Sequence, residues 1–415
     1  MAVLHLSQVV GGDLRDAGGE RLGRVDDLIV RLEGEEYPPV SGAVASVAGR
    51  QVFVPAELIE AITPGRVDLR AERLDLQHFR RRPGEVLLKK DVLDRQMINV
   101  DGARLVRANE IELTRLEGWY RAVGVDVSVR GLLRRVVPRA LAGRIAAADF
   151  LDWASIEPFT GHVPTVRLRV PHPKLARLHP AQLADLVEAA SHREGEEIIA
   201  AVAENPELEA DVFEELEDQH RREFVEERSD DEIAELLARM EADDAADLVL
   251  QLPEERREHV IALLSPPHAR RVRTLLGFDP ATAGGLMSPE FLCLYADATR
   301  EEALERVARS RVHPDVVAWL YAMTLHRRLH GGVRLADVVR APEGTRLNDL
   351  VASVQMVTPD TELEEVARLM TDFDLTVVPV VDEDQVLLGV VTVDDVLELV
   401  LPEGWRRRFN LFGGE

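Results

Sequence analysis

The stretch EADDAADLVLQLPEE, residues 241–255, sets Asp243, Asp244 and Asp247 three and four residues apart. In a helix that spacing stacks carboxylates on one face, where like charges repel by about 0.2–0.5 kcal/mol per pair. Carboxylates gathered in this way can hold a hard divalent cation. A purely local account competes with that chemistry: Asp243 could cap the helix and Asp244 could sit at its positive N-terminal end, leaving only Asp247 without a role.

The elements around the stretch are short and amphipathic. From Pro180 to about Phe278 the chain repeats units such as PAQLADLVEAAS, SDDEIAELLARM and HARRVRTLLGF, with apolar residues at i, i+3 and i+4 and Pro, Asn, Ser or Asp at the boundaries. Helices of 8 to 12 residues do not stand alone, so the pattern predicts a stacked, right-angled superhelix that buries one face of each. Downstream, TELEEVARLMTDFDLTVVPVVDEDQVLLGVVTVDDVLELV reads helix, strand, turn, strand, helix, with a further strand QMVT ahead of it: an α+β module. Upstream, residues 1 to about 135 alternate β-branched runs with glycine-containing acidic turns, DAGGERLGRV and NVDGARLVRA, and predict a duplicated pair of small β barrels.

The whole chain sets limits on function. Its 415 residues are too many for one ordinary core, and 46% hydrophobic with 30% charged residues is a globular composition. The net charge of −25 is carried by the second half: −16 over residues 171–280 and −10 over 281–415. Such a surface disfavours nucleic acid, whose binding relies on Lys and Arg displacing counterions, and favours cations or basic partners. The densest apolar run, VVAWLYAM, is under half of the roughly 20 residues needed to span a bilayer, and the N-terminus lacks a basic segment before an apolar core. These features predict a cytoplasmic protein, peripheral at most to the inner membrane. A single cysteine, Cys293, excludes an intramolecular disulfide framework. His162, His172 and His179 are irregularly spaced in a Pro-containing stretch and read as surface or turn residues. No Ser/His/Asp, Cys/His or metal–water arrangement stands out, so no enzyme is expected.

Three resemblances follow from quoted motifs. The G-x-x-L-G-x-V-x-D pattern from Gly19 to Asp27 resembles PRC-barrel domains, and a second copy departs from it with Val106 at the second glycine position. Such barrels commonly serve interaction or assembly. TVVPVVDEDQVLLGVVTVDDVLELV resembles a CBS domain. Together with FDPATAGGLMSPEFLCL and ADDAADL, it resembles the cytosolic part of MgtE magnesium transporters, a helical N domain followed by paired CBS domains.

The MgtE resemblance implies that Mg2+ bridges acids of the two parts. The N-domain positions are Asp211, Asp243 and Asp247; the CBS positions are Glu364, Asp374, Asp395 and Glu398, with Asp and Glu exchanged relative to the family at residues 211 and 398. CBS domains also hold adenine nucleotides, which would place ATP or AMP near Thr392 and Asp395 and, in a degraded first copy with Arg334 in place of the threonine, near Asp337. The transporters continue into a membrane domain, whereas this sequence runs to PEGWRRRFNLFGGE without a spanning segment, so a sensor apart from its pore is expected.

The implied organisation is a PRC-like domain at 1–80, a second at 81–145, a linker at 146–177, the superhelix at 178–279, a degenerate CBS domain at 280–350, a CBS domain at 351–402 and a tail at 403–415. GGLMSP, residues 284–289, lacks the phosphate-loop pattern and reads as a hinge, and WRRRF, 405–409, as a solvated tail. The expected function is a magnesium-responsive regulator, homodimeric through its CBS pair, that controls a membrane transporter in trans. An adenine-nucleotide-sensing CBS regulator and a ligand-free structural adaptor are the rivals.

Overall fold

A computed structural model describes residues 3–32, 35–71, 79–82, 84–128, 150–159, 174–310, 312 and 314–401. The basic stretch 132–144, His162, His172 and the WRRRF segment lie outside them. The chain divides into two compact units, Met1–Leu208 and Glu209–Phe412.

In the first unit, one sheet runs in the order Arg50–Pro55, Val40–Val47, Arg21–Arg31, Asp13–Arg15, Arg66–Leu69, Ile59–Thr63, and Glu85–Leu87 also pairs with Arg21–Arg31. A second sheet orders Leu4–His5, Glu110–Leu116, Trp119–Asp126 and Phe150–Asp152, and a third orders Arg104–Arg107, Gln96–Asn99 and Ile156–Pro158. Among the described strands two pairings cross the expected 80/81 division, Leu4–His5 with Glu110–Leu116 and Glu85–Leu87 with Arg21–Arg31, and an isolated bridge joins Pro39 to Arg121 as well. Buried residues from Leu4 to Ile156 form one core, so the two sequence copies exchange arms and fold together instead of forming separate modules. The expected pair of closed barrels is not found: among the described strands the pairings run as open sheets.

The exchange explains the motif. Asp27, its final acid, is buried and accepts the backbone N–H groups of Leu28 at 2.8 Å and, from the exchanged arm, Lys89 at 2.8 Å and Lys90 at 3.0 Å. Glu110, at the matching place in the second copy, accepts the N–H of Ile111 and, from the other arm, the N–H of Ser7, both at 3.1 Å. Each acid thus ties the arm of the opposite copy. The motif's second glycine, Gly23, has no room for a side chain, because a Cβ there would lie 2.2 Å from the Ser46 carbonyl oxygen. Its counterpart Val106 is tolerated because Arg104–Arg107 lies at the edge of its sheet.

Burial pushes the Asp27 carboxyl up to about 6, against the pull of its three N–H donors, with Asp91 adding to the rise. Substituting Asp27→Ala leaves those donors without their acceptor. An unsatisfied buried donor costs about 1–3 kcal/mol, so urea denaturation should show the first unit destabilised by about 3 kcal/mol or more, and Asp27→Asn by less, since its amide oxygen still accepts.

The helices follow the expected period. Pro180–Ala189 and His192–Val202 group with the first unit. The second unit contains Asp218–Glu226, Asp230–Leu237, Ala242–Gln251, Glu254–Leu263 and Pro266–Leu275. Second neighbours pack: Asp230–Leu237 on Glu254–Leu263, and Ala242–Gln251 on both Asp218–Glu226 and Pro266–Leu275, which is the geometry of a tight superhelix. Local signals set the helix starts. Ser229 and Glu232 form a reciprocal capping box, and Pro266 opens the helix Pro266–Leu275.

The α+β region holds two similar copies. In the first, Cys293–Tyr295 runs parallel to Trp319–Met323, which pairs antiparallel with Leu329–Arg334. In the second, Val377–Val381 pairs antiparallel with Leu387–Thr392, and Val357 bridges to Val380 in parallel. Val316, Tyr321 and Leu329 of the first copy share a core with Val377, Val381, Leu387 and Val390 of the second. The first copy therefore keeps its strands although its motif is degraded.

Candidate metal centre

Asp243 and Asp244 are the second and third residues of the helix Ala242–Gln251, whose N-cap is Glu241 with no side-chain cap bond. Asp243 does not cap this helix, although it and Asp244 lie in the first turn, where the helix N-terminus favours acids. Its Oδ1 is fully enclosed and has no hydrogen-bond partner among the described residues. Burial holds its carboxyl well above the usual range, and the negative charges of Asp395, Glu241 and Asp247 push it further in that order. Asp244 is raised in the same way by burial, Asp243 and Glu214, with Arg221 opposing. An enclosed carboxylate oxygen with no donor, facing other carboxylates, is what a buried acid avoids unless it meets a proton or a cation.

Asp395 reaches this cluster from the other side. It is in the first turn of the helix Val393–Val400, where its Oδ2 accepts the Thr392 hydroxyl at 2.7 Å and the Thr392 N–H at 3.1 Å in a capping box. The approach of the two helices is built by the segment between them. Ser288 exchanges backbone hydrogen bonds with Val390 at 2.8 and 2.9 Å, and its Oγ lies 3.5 Å from Glu241 Oε2. Gly389 permits this, since a Cβ there would come within 2.8 Å of the Ser288 carbonyl oxygen and the Met287 side chain. Ala283 N–H donates to Thr361 O and Gly284 N–H to Pro359 O. Farther out, Arg271 pairs with Glu290 at 3.2 Å. The GGLMSP segment is thus fastened to the second CBS-like copy at Gly284 and Ser288.

Glu214 completes the acidic wall. It lies in the last turn of the helix Pro206–Glu215 and accepts the Glu241 N–H at 2.8 Å. Burial, then the charges of Glu241, Asp211 and Glu215, push its carboxyl up to about 7 against that hydrogen bond. The buried Arg221 is the cation beside Asp244; its guanidinium donates to the Leu216 carbonyl at 2.8 and 3.2 Å and to the Glu214 carbonyl at 2.9 Å. Arg221→Met removes these bonds and a nearby positive charge, so chemical denaturation should show a loss of about 3 kcal/mol in the second unit. Lysine at 221 recovers less than half of it, lacking the guanidinium fork.

The expected ligands therefore separate. Asp243 and Asp395 come together, with Asp247 on the exposed side of Asp243 and exposed Asp211 beside Glu214. Glu364 and Asp374 are exposed at opposite ends of the helix Leu363–Phe373, Asp374 as its left-handed C-cap. At about 1.5 Å rise per residue they stand roughly 15 Å apart, too far to share an ion. The backbone of Glu398 lies in Val393–Val400, and its side chain is outside what is described. Glu214, Glu241 and Asp244 were not among the expected ligands. Glu214 could have been found as the residue one turn after Asp211 on the same helix face.

The nucleotide positions fare differently. Thr392 and Asp395 bind each other, as a plain helix cap does. In the first copy Asp337 is exposed, and Arg334, in place of the threonine, lies over the Trp319 ring at 5.2 Å.

Comparison with known proteins agrees with this architecture. The MgtE intracellular N domain family matches residues 178–281 and the CBS domain family matches residues 349–402. The chain is 39% identical over 142 residues to the magnesium transporter MgtE of Thermus thermophilus, covering 34% of this chain and 32% of that protein. It is 29% identical over 133 residues to the magnesium transporter MgtE of Enterococcus faecalis, covering 32% and 29%. It thus spans about a third of the length of these curated relatives. Among solved structures, the cytosolic domain of the Mg2+ channel MgtE in complex with ATP superposes with a TM-score of 0.51 at 31% identity, over 55% of this chain and 92% of that one. The soluble part of a magnesium transporter gives a TM-score of 0.51 at 26% identity, over 55% and 90%. Residues 178–402 thus carry an MgtE-type cytosolic region, a helical MgtE N domain followed by a CBS pair.

Proposed function

We propose that the chain is a magnesium-responsive regulator in which a hydrated Mg2+ sits between the acids of the helix Ala242–Gln251 and Asp395. The enclosed Oδ1 of Asp243, without a donor among the described residues, on a carboxyl that feels the charge of Asp395, is the observation that carries this reading. Asp243, Asp247 and Asp395 would supply oxygens to the ion or to its waters, and Asp211 would act from the Glu214 side. Glu364 and Asp374 would bind at positions separate from each other. The ion supplies positive charge beyond that of Arg221, which opposes only part of the carboxylates' repulsion. With it, the carboxylates are compensated and the superhelix rests on the CBS pair; without it, they repel and must take up protons or separate. Such a two-state element responds to the ion only because the closed state binds it more tightly.

The relatives named as magnesium transporters support a membrane transporter as the regulated partner. Among the described residues no helix is long and apolar enough to cross a membrane. Exposed Phe373, Leu397, Val400 and Leu401, on and just after the packed helices Leu363–Phe373 and Val393–Val400, favour a homodimer through the CBS pair. The PRC-like reading of the first unit assigns it to assembly with that partner on the cytoplasmic face of the membrane. ATP is a second ligand, supported by the ATP complex of the similar cytosolic domain; it would meet Thr392 and Asp395, so nucleotide and Mg2+ would share Asp395.

Small-angle scattering across a Mg2+ titration tests the proposal. The radius of gyration should fall to a plateau as Mg2+ rises and should return on chelation. A radius unchanged by Mg2+ from zero to saturating millimolar levels overturns it.

A further inference from the structure

The first unit holds a cleft that the magnesium reading does not use. It has a volume of about 930 Å³, and its floor includes Val44, Leu87 and the half-buried Phe79, which pack with the buried Ile29. Lys89, Lys90 and Arg95 line it, all three exposed. The acids in the same wall are already engaged. Asp26 accepts Ser46 Oγ at 2.6 Å, Asp27 accepts three backbone N–H groups, and Asp91 is held by Arg81 at 2.9 Å and by the Leu87 N–H at 2.7 Å. Lys89, Lys90 and Arg95 have no ion-pair partner among the described residues. With Asp91 neutralised by Arg81, Lys89, Lys90 and Arg95 outnumber the remaining carboxylates of the wall, Asp26 and Asp27, by one, so the cleft is net positive around an apolar floor in a chain whose net charge is −25.

We propose that this cleft binds a flat organic anion, with its ring against Phe79 and Leu87 and its acid group toward Lys89, Lys90 and Arg95. The size suits a small molecule, since ligand clefts of this kind span roughly 300–1,000 Å³ and join an apolar lining to a few charged groups. The position also gives binding a structural consequence. Lys89 and Lys90 belong to the exchanged arm that Asp27 holds through their backbone N–H groups, so a ligand there bears on the joint between the two sequence copies.

The probe is 8-anilinonaphthalene-1-sulfonate, a naphthalene ring carrying one sulfonate, followed by its fluorescence on the full chain. Wild type should show one saturable site whose affinity falls with added salt. Lys89→Gln/Lys90→Gln/Arg95→Gln should weaken that site at least tenfold, whereas Arg270→Gln/Arg273→Gln, which removes two exposed cations from the second unit, should leave it unchanged. Circular dichroism confirms that each variant is folded; should the triple variant unfold, Lys89→Gln/Arg95→Gln takes its place, with an expected weakening of at least fivefold. No saturable site in wild type, or equal affinity in the folded cleft variant, overturns the proposal.

Discussion

Asparagine in place of Asp243 should abolish the response of the second unit to magnesium while leaving the metal-free protein at least as stable as wild type. A buried carboxylate facing Asp395 and Glu241 is a cost that only a proton or a cation relieves. Asparagine has nearly the same shape and no charge, so it removes that cost together with the ligand. In wild type, Mg2+ at a hundredfold excess over its dissociation constant should stabilise the closed state by about 2.7 kcal/mol. In Asp243→Asn that increment should fall below about 1 kcal/mol, and the metal-free melting temperature should rise by a few degrees. Thermal unfolding with and without Mg2+ measures both, and a magnesium increment unchanged in the variant contradicts the assignment. Asp395→Asn should lose the magnesium increment too, while keeping a cap acceptor for Thr392.

Metal-free protein should lose stability as pH rises from about 5.5 to 8, and saturating Mg2+ should flatten that loss. Glu214 is raised from 4.5 to about 7, and Asp243 and Asp244 are raised well above 3.8. An acid whose folded pKa lies above its unfolded value binds more protons in the folded state. Its contribution is fully present below the unfolded value and is lost as pH climbs through the folded one. For Glu214 the window is about 4.5 to 7, and a rise of that size corresponds to about 3 kcal/mol at most. Asp27 acts in the same sense in the first unit between 3.8 and about 6, so Glu214→Gln serves as the control that isolates the cluster. Urea denaturation at pH 5.5, 7 and 8, in chelator and in Mg2+, gives the comparison. Metal-free stability that is flat or rising over that range contradicts the burial of these acids.

Much of this was legible in the residues. The short helices declare themselves through period and boundary, as with Ser229 and Glu232, whose types and spacing specify a reciprocal cap before any packing is known. The strand–turn–strand run from Val377 to Thr392 is equally plain, because two β-branched segments flank a short polar turn. The pairing of Asp243 with Asp395 came from family resemblance; no local pattern links residues so far apart in sequence. Glu241 and Glu214 escaped notice because their importance comes from burial and from the Glu241 N–H bond, and neither leaves a periodic mark. The exchange of arms around Asp27 and Glu110 was hidden for a related reason. The duplication was visible, but which copy's arm each acid would hold depends on strand pairing across the whole first unit. Val106 was the available hint: a glycine that close packing demands at residue 23 is not demanded at an edge strand.

The most direct test uses Mn2+ in place of Mg2+, since both take oxygen ligands and manganese scatters anomalously. Crystals of the full chain soaked in Mn2+ should give an anomalous peak with carboxylate oxygens of both Asp243 and Asp395 in its first or water-bridged shell. Manganese bound elsewhere on the protein, with density between Asp243 and Asp395 empty at saturation, would contradict the account.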